Sequence, residues 1–254
     1  MFTDTHSHLY SKEFDIDIDK VIINAKSNNV SSIYLPNIDI STIEKMNNLV
    51  NKDSELFKAM MGLHPGSVDS DYVKNLNIIR QELEKNKYVG VGEVGIDLYW
   101  DKTFKQEQID AFETQVKWAK EFDLPVIIHA RDAMDISIDI IEKHQTGSLK
   151  GVFHCFTGNI DQAFRIMKLG FYMGIGGILT YKNSGLKQVV RQIPIEYMVL
   201  ETDSPYLPPV PFRGKRNESA YLVHIASELA EVKNISIKDV AEITTNNAQK
   251  IFIE

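Results

Sequence analysis

Apolar positions along the chain follow two alternating rhythms. Short runs that are continuously apolar, or that alternate with polar residues, fall at 2–8, 32–36, 57–64, 89–96, 126–130, 151–156, 171–178 and 198–203, which predicts eight strands. Between them, apolar residues recur three and four apart. In the segment from Gln106, for example, Ile109, Phe112, Val116, Ala119 and Phe122 share one helical face. Each strand-plus-helix unit spans about 30 residues, a βαβ rhythm that implies a parallel sheet. Eight such units in 254 residues predict an α/β chain folded as a closed (β/α)₈ TIM barrel, a single domain over 1–254. The alternative is an open doubly wound sheet, but the G-x-G-x-x-G turn of its dinucleotide-binding version does not follow the first strand. No linker, repeat or low-complexity tract divides the chain. The longest irregular stretch, 204–217, holds Pro205, Pro208, Pro209 and Pro211 and reads as a stiff loop, since none of these fits a helix interior or a central strand. Loops of that length in compact domains are usually functional.

Charge narrows the picture. Lys and Arg number 28 against 35 Asp and Glu, a net charge of −7 that argues against sequence-blind coating of duplex DNA. Any nucleic-acid contact is therefore expected to be local and chemical. Cys155 is the only cysteine, so an intrachain disulfide is impossible and a reducing compartment fits. No apolar run approaches the roughly 18 residues of a membrane span, and the N-terminus lacks a basic stretch followed by an apolar one. The expectation is a cytoplasmic enzyme with no membrane association and no obligate protein partner.

Barrel enzymes carry their chemistry at the C-terminal ends of strands. Those ends read Asp4-Thr5-His6-Ser7-His8, Gly92-Glu93-Val94-Gly95, His129-Ala130-Arg131, Phe153-His154-Cys155 and Glu201-Thr202-Asp203. Four of the seven histidines gather there with two acids. His6 and His8, two apart on a strand, are expected to aim at one point. Imidazole and carboxylate together suit Zn²⁺, Mn²⁺ or Fe²⁺, with Mg²⁺ less natural for so many histidines. The six side chains His6, His8, Glu93, His129, His154 and Asp203 exceed the need of one tetrahedral ion. Two divalent ions sharing Glu93 as a bridge would use them all, and paired metals about 3.5–4 Å apart are a standard device for phosphoester hydrolysis.

Other positions carry less. His64, in Gly62-Leu63-His64-Pro65, is a candidate for substrate contact or a backbone-bonded loop histidine. Arg131 could meet an anionic substrate or form a structural ion pair. Glu201 and Asp4 are expected either to support the ligands from below or to form buried pairs, Cys155 to be a small buried hydrophobe, and His144 and His224 to lie on the surface. Arg213, Lys215 and Arg216 place three cations in four residues of the prolyl loop, a focused anion site beside the metal face or else a solvated charge run.

The segments DTHSHL, GLHP, GEVGID, IIHARDA, FHCFTG, ETDSPYL and PFRGKRNES, in that order, resemble the TatD family of metal-dependent deoxyribonucleases, in the amidohydrolase superfamily. The resemblance spans essentially the whole chain. It implies a (β/α)₈ barrel, two divalent ions, and hydrolysis of DNA phosphodiesters, with 3′-to-5′ exonuclease action in some members; the expected substrate is DNA, single-stranded or at its ends. It also implies that His6, His8, Glu93 and Asp203 hold one ion, that Glu93, His129 and His154 hold the other, and that His64 and the loop 213–217 meet substrate. His6 and His8, absent from some members, are kept; Ser219 stands where the family usually has proline. On this reading Asp203 is the general base and the loop cations offset transition-state charge. The rival activity is metal-dependent hydrolysis of C–N or ester bonds, as by a deaminase or an aminoacyl-tRNA deacylase, and the non-catalytic rival is a metal-stabilised nucleic-acid binding module.

Overall fold

The computed structural model describes residues 1–85 and 87–252. Eight strands run through it: β1 (Phe2–Asp4), β2 (Val30–Pro36), β3 (Phe57–Met60), β4 (Val91–Asp97), β5 (Val126–Arg131), β6 (Gly151–Phe153), β7 (Tyr172–Ile175) and β8 (Met198–Leu200). Around them lie α1 (Ile18–Ser27), α2 (Ile43–Lys52), α3 (Tyr72–Leu83), α4 (Lys105–Glu121), α5 (Met134–His144), α6 (Ile160–Lys168), α7 (Leu186–Gln192), α8 (Leu222–Lys233) and α9 (Ile237–Phe252).

Every strand pairing is parallel, in two ladders ordered β1-β2-β3 and β4-β5-β6-β7-β8. Backbone hydrogen bonds join the ladders at both seams. Between β3 and β4, Val89 N–H donates to Ala59 O (2.9 Å), Met61 N–H to Gly90 O (3.0 Å) and Gly92 N–H to Met61 O (3.1 Å). Between β8 and β1, Thr5 N–H donates to Leu200 O (3.0 Å), Asp203 N–H to His6 O (2.9 Å) and His8 N–H to Ser204 O (2.7 Å), with a parallel bridge between Ser7 and Ser204. The (β/α)₈ barrel expected from the apolar rhythm is the fold.

The barrel interior is apolar below and polar above. Tyr34, Met60, Ile127, Val152 and Val199 fill its lower half, and Ile251 and Phe252 of α9 pack against them, the Phe252 ring stacked on Tyr34 at 4.0 Å. The α4 stripe is seated as its spacing predicts, with Phe112, Val116 and Ala119 buried. Two glutamines on the same helix are buried as well because they bond loop backbone. Gln115 accepts Leu63 N–H (2.8 Å) and donates to Leu63 O (3.2 Å), while Gln108 accepts Asp97 N–H (2.9 Å). At Gly95, φ is +138° and a Cβ would meet His129 O at 2.0 Å, so only glycine lets β4 run this close to β5.

Five strands stop earlier than the apolar runs suggest, β3 at Met60 and β7 at Ile175 among them. β1 ends at Asp4, β6 at Phe153 and β8 at Leu200, so His6, His8, His154 and Asp203 lie just beyond the paired backbone. Cys155 and Asp203 take φ values of +47° and +56°, which no strand residue adopts. The prolyl loop 204–217 is anchored by Asn217, whose buried amide donates to Thr202 O and Tyr206 O, both at 2.7 Å. Asn217 therefore shapes the loop rather than meeting substrate. Ser219 is buried and donates its hydroxyl to Asp4 Oδ2 (2.6 Å), a bond that proline could not make. His144 and His224 are half-buried, not surface residues: His144 Nε2 lies 3.4 Å from Glu113, and His224 packs edge-on against Phe212 at 5.1 Å.

Candidate active site

Glu93 stands at the centre of the barrel mouth, on the all-buried strand β4. Its two oxygens face different groups. Oε2 lies 3.1 Å from His6 Nε2 and 3.3 Å from His8 Nε2. Oε1 lies 2.7 Å from His154 Nε2, 2.8 Å from His129 Nδ1 and 3.4 Å from His64 Nε2. Asp203 Oδ1 closes the first group, 3.5 Å from His8 Nε2 and 3.8 Å from His6 Nε2. All six expected ligand side chains thus converge, and His64 joins them.

The donor set fits divalent cations. Ligand atoms of His6, His8 and Asp203, of His6, Glu93 and His154, and of His64, Glu93 and His129 each fall within 4.8 Å of one another. Ring nitrogens also face each other without an obvious donor, His6 Nε2 to His8 Nε2 at 3.2 Å and His129 Nδ1 to His154 Nε2 at 3.1 Å. Such apposition of basic nitrogens is what a shared cation relieves. His6 and His8 converge through irregular backbone rather than strand alternation, their rings at 77°.

Electrostatics follow from this crowding. Burial alone would raise Glu93, but His154, His64, His6 and His129 outweigh it and hold the carboxyl well below its usual range. Burial opposes ionisation of Asp203 too, yet the His8 bond and the neighbouring histidines keep it low. Burial would lower His8, but hydrogen bonds to Asp203 and Glu93 push it up to about 10.

A supporting layer orients these groups. His8 Nδ1 meets Tyr10 OH (2.9 Å), and that hydroxyl also donates to Pro36 O. His129 Nε2 meets Asp97 Oδ2 (3.0 Å). Glu201, fully buried, lies 3.5 Å from His154 Nδ1 and accepts Cys155 N–H at 2.6 Å. Asp4 accepts from Thr202 N–H (2.9 Å), Thr202 OH (2.6 Å) and Ser219 OH (2.6 Å), pinning the β1 and β8 termini together. Cys155 is not a buried hydrophobe: it is part-exposed on the cavity wall, and its backbone does the bonding. Tyr10 and Asp97 were not singled out in the sequence; Tyr10 lies on irregular backbone past the end of β1, where no alternation applies, and only the position of Asp97 at the C-terminal end of β4 could have pointed to it.

The cluster floors a cavity of about 880 Å³ rimmed by Tyr99, Trp100, Arg131, Ile178, Tyr206 and Leu207. Among the described residues, four of the seven non-glycine residues at positive φ, Asp132, Cys155, Asp203 and Leu207, lie on its wall. Such conformations persist where surrounding structure enforces them, and they concentrate at functional sites.

The cations separate. Arg131 lines the cavity, its guanidinium over Tyr99 at 3.8 Å. Arg213 is exposed and stacked on Tyr181 at 4.0 Å, and Lys215 is exposed 5.9 Å from the Phe212 ring; neither lines the cavity. Arg216 corrects the expectation of a three-cation anion site. It is clamped by Asp17 (2.7 and 2.8 Å), Glu218 (3.3 Å) and Glu13 O (2.6 Å), and its charge is already matched.

The model of the family described as TatD related DNase matches residues 3–253. The chain belongs to this family. It is 38% identical over 253 residues to the uncharacterized metal-dependent hydrolase YabD of Bacillus subtilis, covering 99% of each chain, and 31% identical over 254 residues to YcfH of Escherichia coli K12, covering 98% of this chain and 94% of that one. The crystal structure of the TatD homologue YjjV from Escherichia coli K12 superposes with a TM-score of 0.94 at 30% identity, covering 100% of this chain and 98% of that one. A lactonase from Listeria monocytogenes, 13% identical with a TM-score of 0.65, shares the fold alone. The chain is a metal-dependent hydrolase of the TatD family. Among its described residues no helix is long and apolar enough to cross a membrane.

Proposed function

We propose that this hydrolase cleaves phosphodiester bonds in DNA, using two divalent ions that share Glu93. The observation that carries the two-ion reading is the division of the Glu93 carboxylate, Oε2 toward His6 and His8, Oε1 toward His129 and His154. His6, His8 and Asp203 would complete one site; His129 and His154, with His64 at hand, the other. When bound, the ions supply charge that activates water and offsets charge building on phosphate oxygens.

The chain's own residues supply the rest. Asp203 faces the cavity with 13% side-chain exposure and is held ionised, so it can take a proton from the attacking water. Asp97 and Tyr10 fix the rings of His129 and His8 by holding the nitrogens that face away from the cluster. Arg131 offers a positive charge at the rim to an incoming phosphate. The substrate class is favoured by the family description and by this cation, and a cytoplasmic location fits the single cysteine.

The test is a cleavage assay with 5′- and 3′-labelled DNA strands and purified protein, supplying Mg²⁺, Mn²⁺ and Zn²⁺ separately. The expected outcome is metal-dependent shortening, abolished by Glu93→Ala and His129→Ala. Intact DNA with every metal, from folded protein that binds those metals, would overturn the phosphodiester reading.

A further inference from the structure

The cavity has a second wall that the ligand cluster does not explain. Just past β4, Trp100 is 77% exposed and Tyr99 53% exposed, edge to face at 4.8 Å. Large aromatics left in water beside a catalytic cavity mark a contact surface. The Arg131 guanidinium lies 3.8 Å from the Tyr99 ring centre and 5.3 Å from that of Trp100. Among the described residues no carboxylate engages it in an ion pair.

The segment is held to the catalytic strands rather than hanging free. Tyr99 N–H donates to Asp97 Oδ1 (3.0 Å), Leu98 N–H donates to Arg131 O (2.9 Å), and the other Asp97 oxygen meets His129. One carboxylate therefore fixes both a ligand-type histidine and the base of the aromatic wall.

We propose that Trp100, backed by Tyr99 and Arg131, is a stacking platform for one unpaired nucleobase whose adjoining phosphate sits at the Glu93 cluster. This rests on the phosphodiester reading and assigns the expected use of single strands and ends to a particular side chain. Every base has a π-face, so stacking on indole tolerates any sequence, and a neighbouring cation strengthens such contacts. Internal bases of a duplex have both faces covered and cannot reach the indole. In a chain of net charge −7, with Arg216 already paired, a stacked base adds hold on a strand that does not depend on phosphate contacts.

The test follows tryptophan emission and affinity during titration of metal-free protein with oligothymidylate, with a strand of equal length bearing abasic units, and with a blunt duplex. Cleavage by metal-loaded protein is measured in parallel. Trp118, half-buried on α4, is the only other tryptophan, so quenching that disappears in Trp100→Phe reports the platform. The expected results are quenching by the base-bearing strand alone, affinity about tenfold weaker in Trp100→Ala, partial recovery in Trp100→Phe, and no change for the duplex. At 77% exposure the side chain is not needed for folding, which an unchanged thermal midpoint verifies. Equal binding of abasic and base-bearing strands, or wild-type affinity in Trp100→Ala, would overturn the platform while leaving the phosphodiester reading intact. Failure of wild type to bind or cleave any DNA would remove both.

Discussion

At the scale of single residues, the site is a contest over protons. His8 is pushed up to about 10 because hydrogen bonds to Asp203 and Glu93 outweigh its burial, and His154 is raised well above its usual value because Glu93 and Glu201 outweigh the same penalty. Both shifts favour the protonated ring in the metal-free protein. A cation needs the unprotonated nitrogen, so loading must expel protons. The sign follows: metal affinity rises with pH across the neutral range and falls toward acid. Calorimetric titration in buffers of different ionisation enthalpy should show net proton release on binding; a buffer-independent heat would refute it. Asp203 has the opposite bias. It stays ionised, and Asp203→Asn keeps the shape while removing charge and proton acceptor. We expect kcat to fall about a hundredfold or more, the usual scale for a lost general base, with DNA binding retained. Near-normal turnover would move the base role to His64, which is 19% exposed and 3.4 Å from Glu93.

At the scale of elements, what was readable in the sequence divides along physical lines. Strand existence was legible because parallel strands buried on both faces are mainly apolar; β4 is buried over all seven residues, and its two acids, Glu93 and Asp97, are the ones the site uses. Where pairing ends was not, because burial continues past the last paired residue of β8, through Glu201 and Thr202, to Asp203, whose positive φ breaks the strand. The convergence of the candidate ligands was legible because histidines and acids at strand ends have few structural reasons to cluster. The fate of the prolyl-loop cations was not, because a charge run carries no record of partners distant in sequence. Arg216 pairs with Asp17, 199 residues away, and covers the Phe14 ring at 4.4 Å. The consequence is testable by contrast. Arg216→Gln should lower stability by about 1 kcal/mol, a modest figure because the pair is partly solvent-screened, which is roughly 2–4 °C in Tm for a chain of this size. Arg213→Gln and Lys215→Gln should leave Tm unchanged. If those two meet DNA outside the cavity, each should flatten the log–log salt dependence of single-strand binding by about 0.7. An unchanged Tm in Arg216→Gln would mean that the clamp is incidental.

At the scale of the whole molecule, the same six side chains that make the site useful make the metal-free barrel less stable than it could be. Imidazoles and carboxylates lie buried at the mouth with buried polar atoms lacking hydrogen-bond partners, His6 Nδ1 and Glu201 Oε2 among them. Such groups cost free energy that the apolar lower half, from Tyr34 to Phe252, must offset. Because the ligands come from β4 and β5 and from the ends of β1, β6 and β8, a cation held among them ties together both ladders and the seam where Asp203 N–H meets His6 O. A ligand that binds only the folded chain adds stability by mass action, about 2.7 kcal/mol at a hundred times its dissociation constant. For a domain of this length that corresponds to a rise in Tm of roughly 5–10 °C. Thermal unfolding in chelator against saturating Zn²⁺ or Mn²⁺ should show that rise. Glu93→Ala should lose most of it, since both oxygens are removed at once, whereas His154→Ala should retain the share contributed by His6, His8 and Asp203. If Glu93→Ala gained as much stability from metal as wild type, the carboxylate would not be the element shared between the two halves of the site.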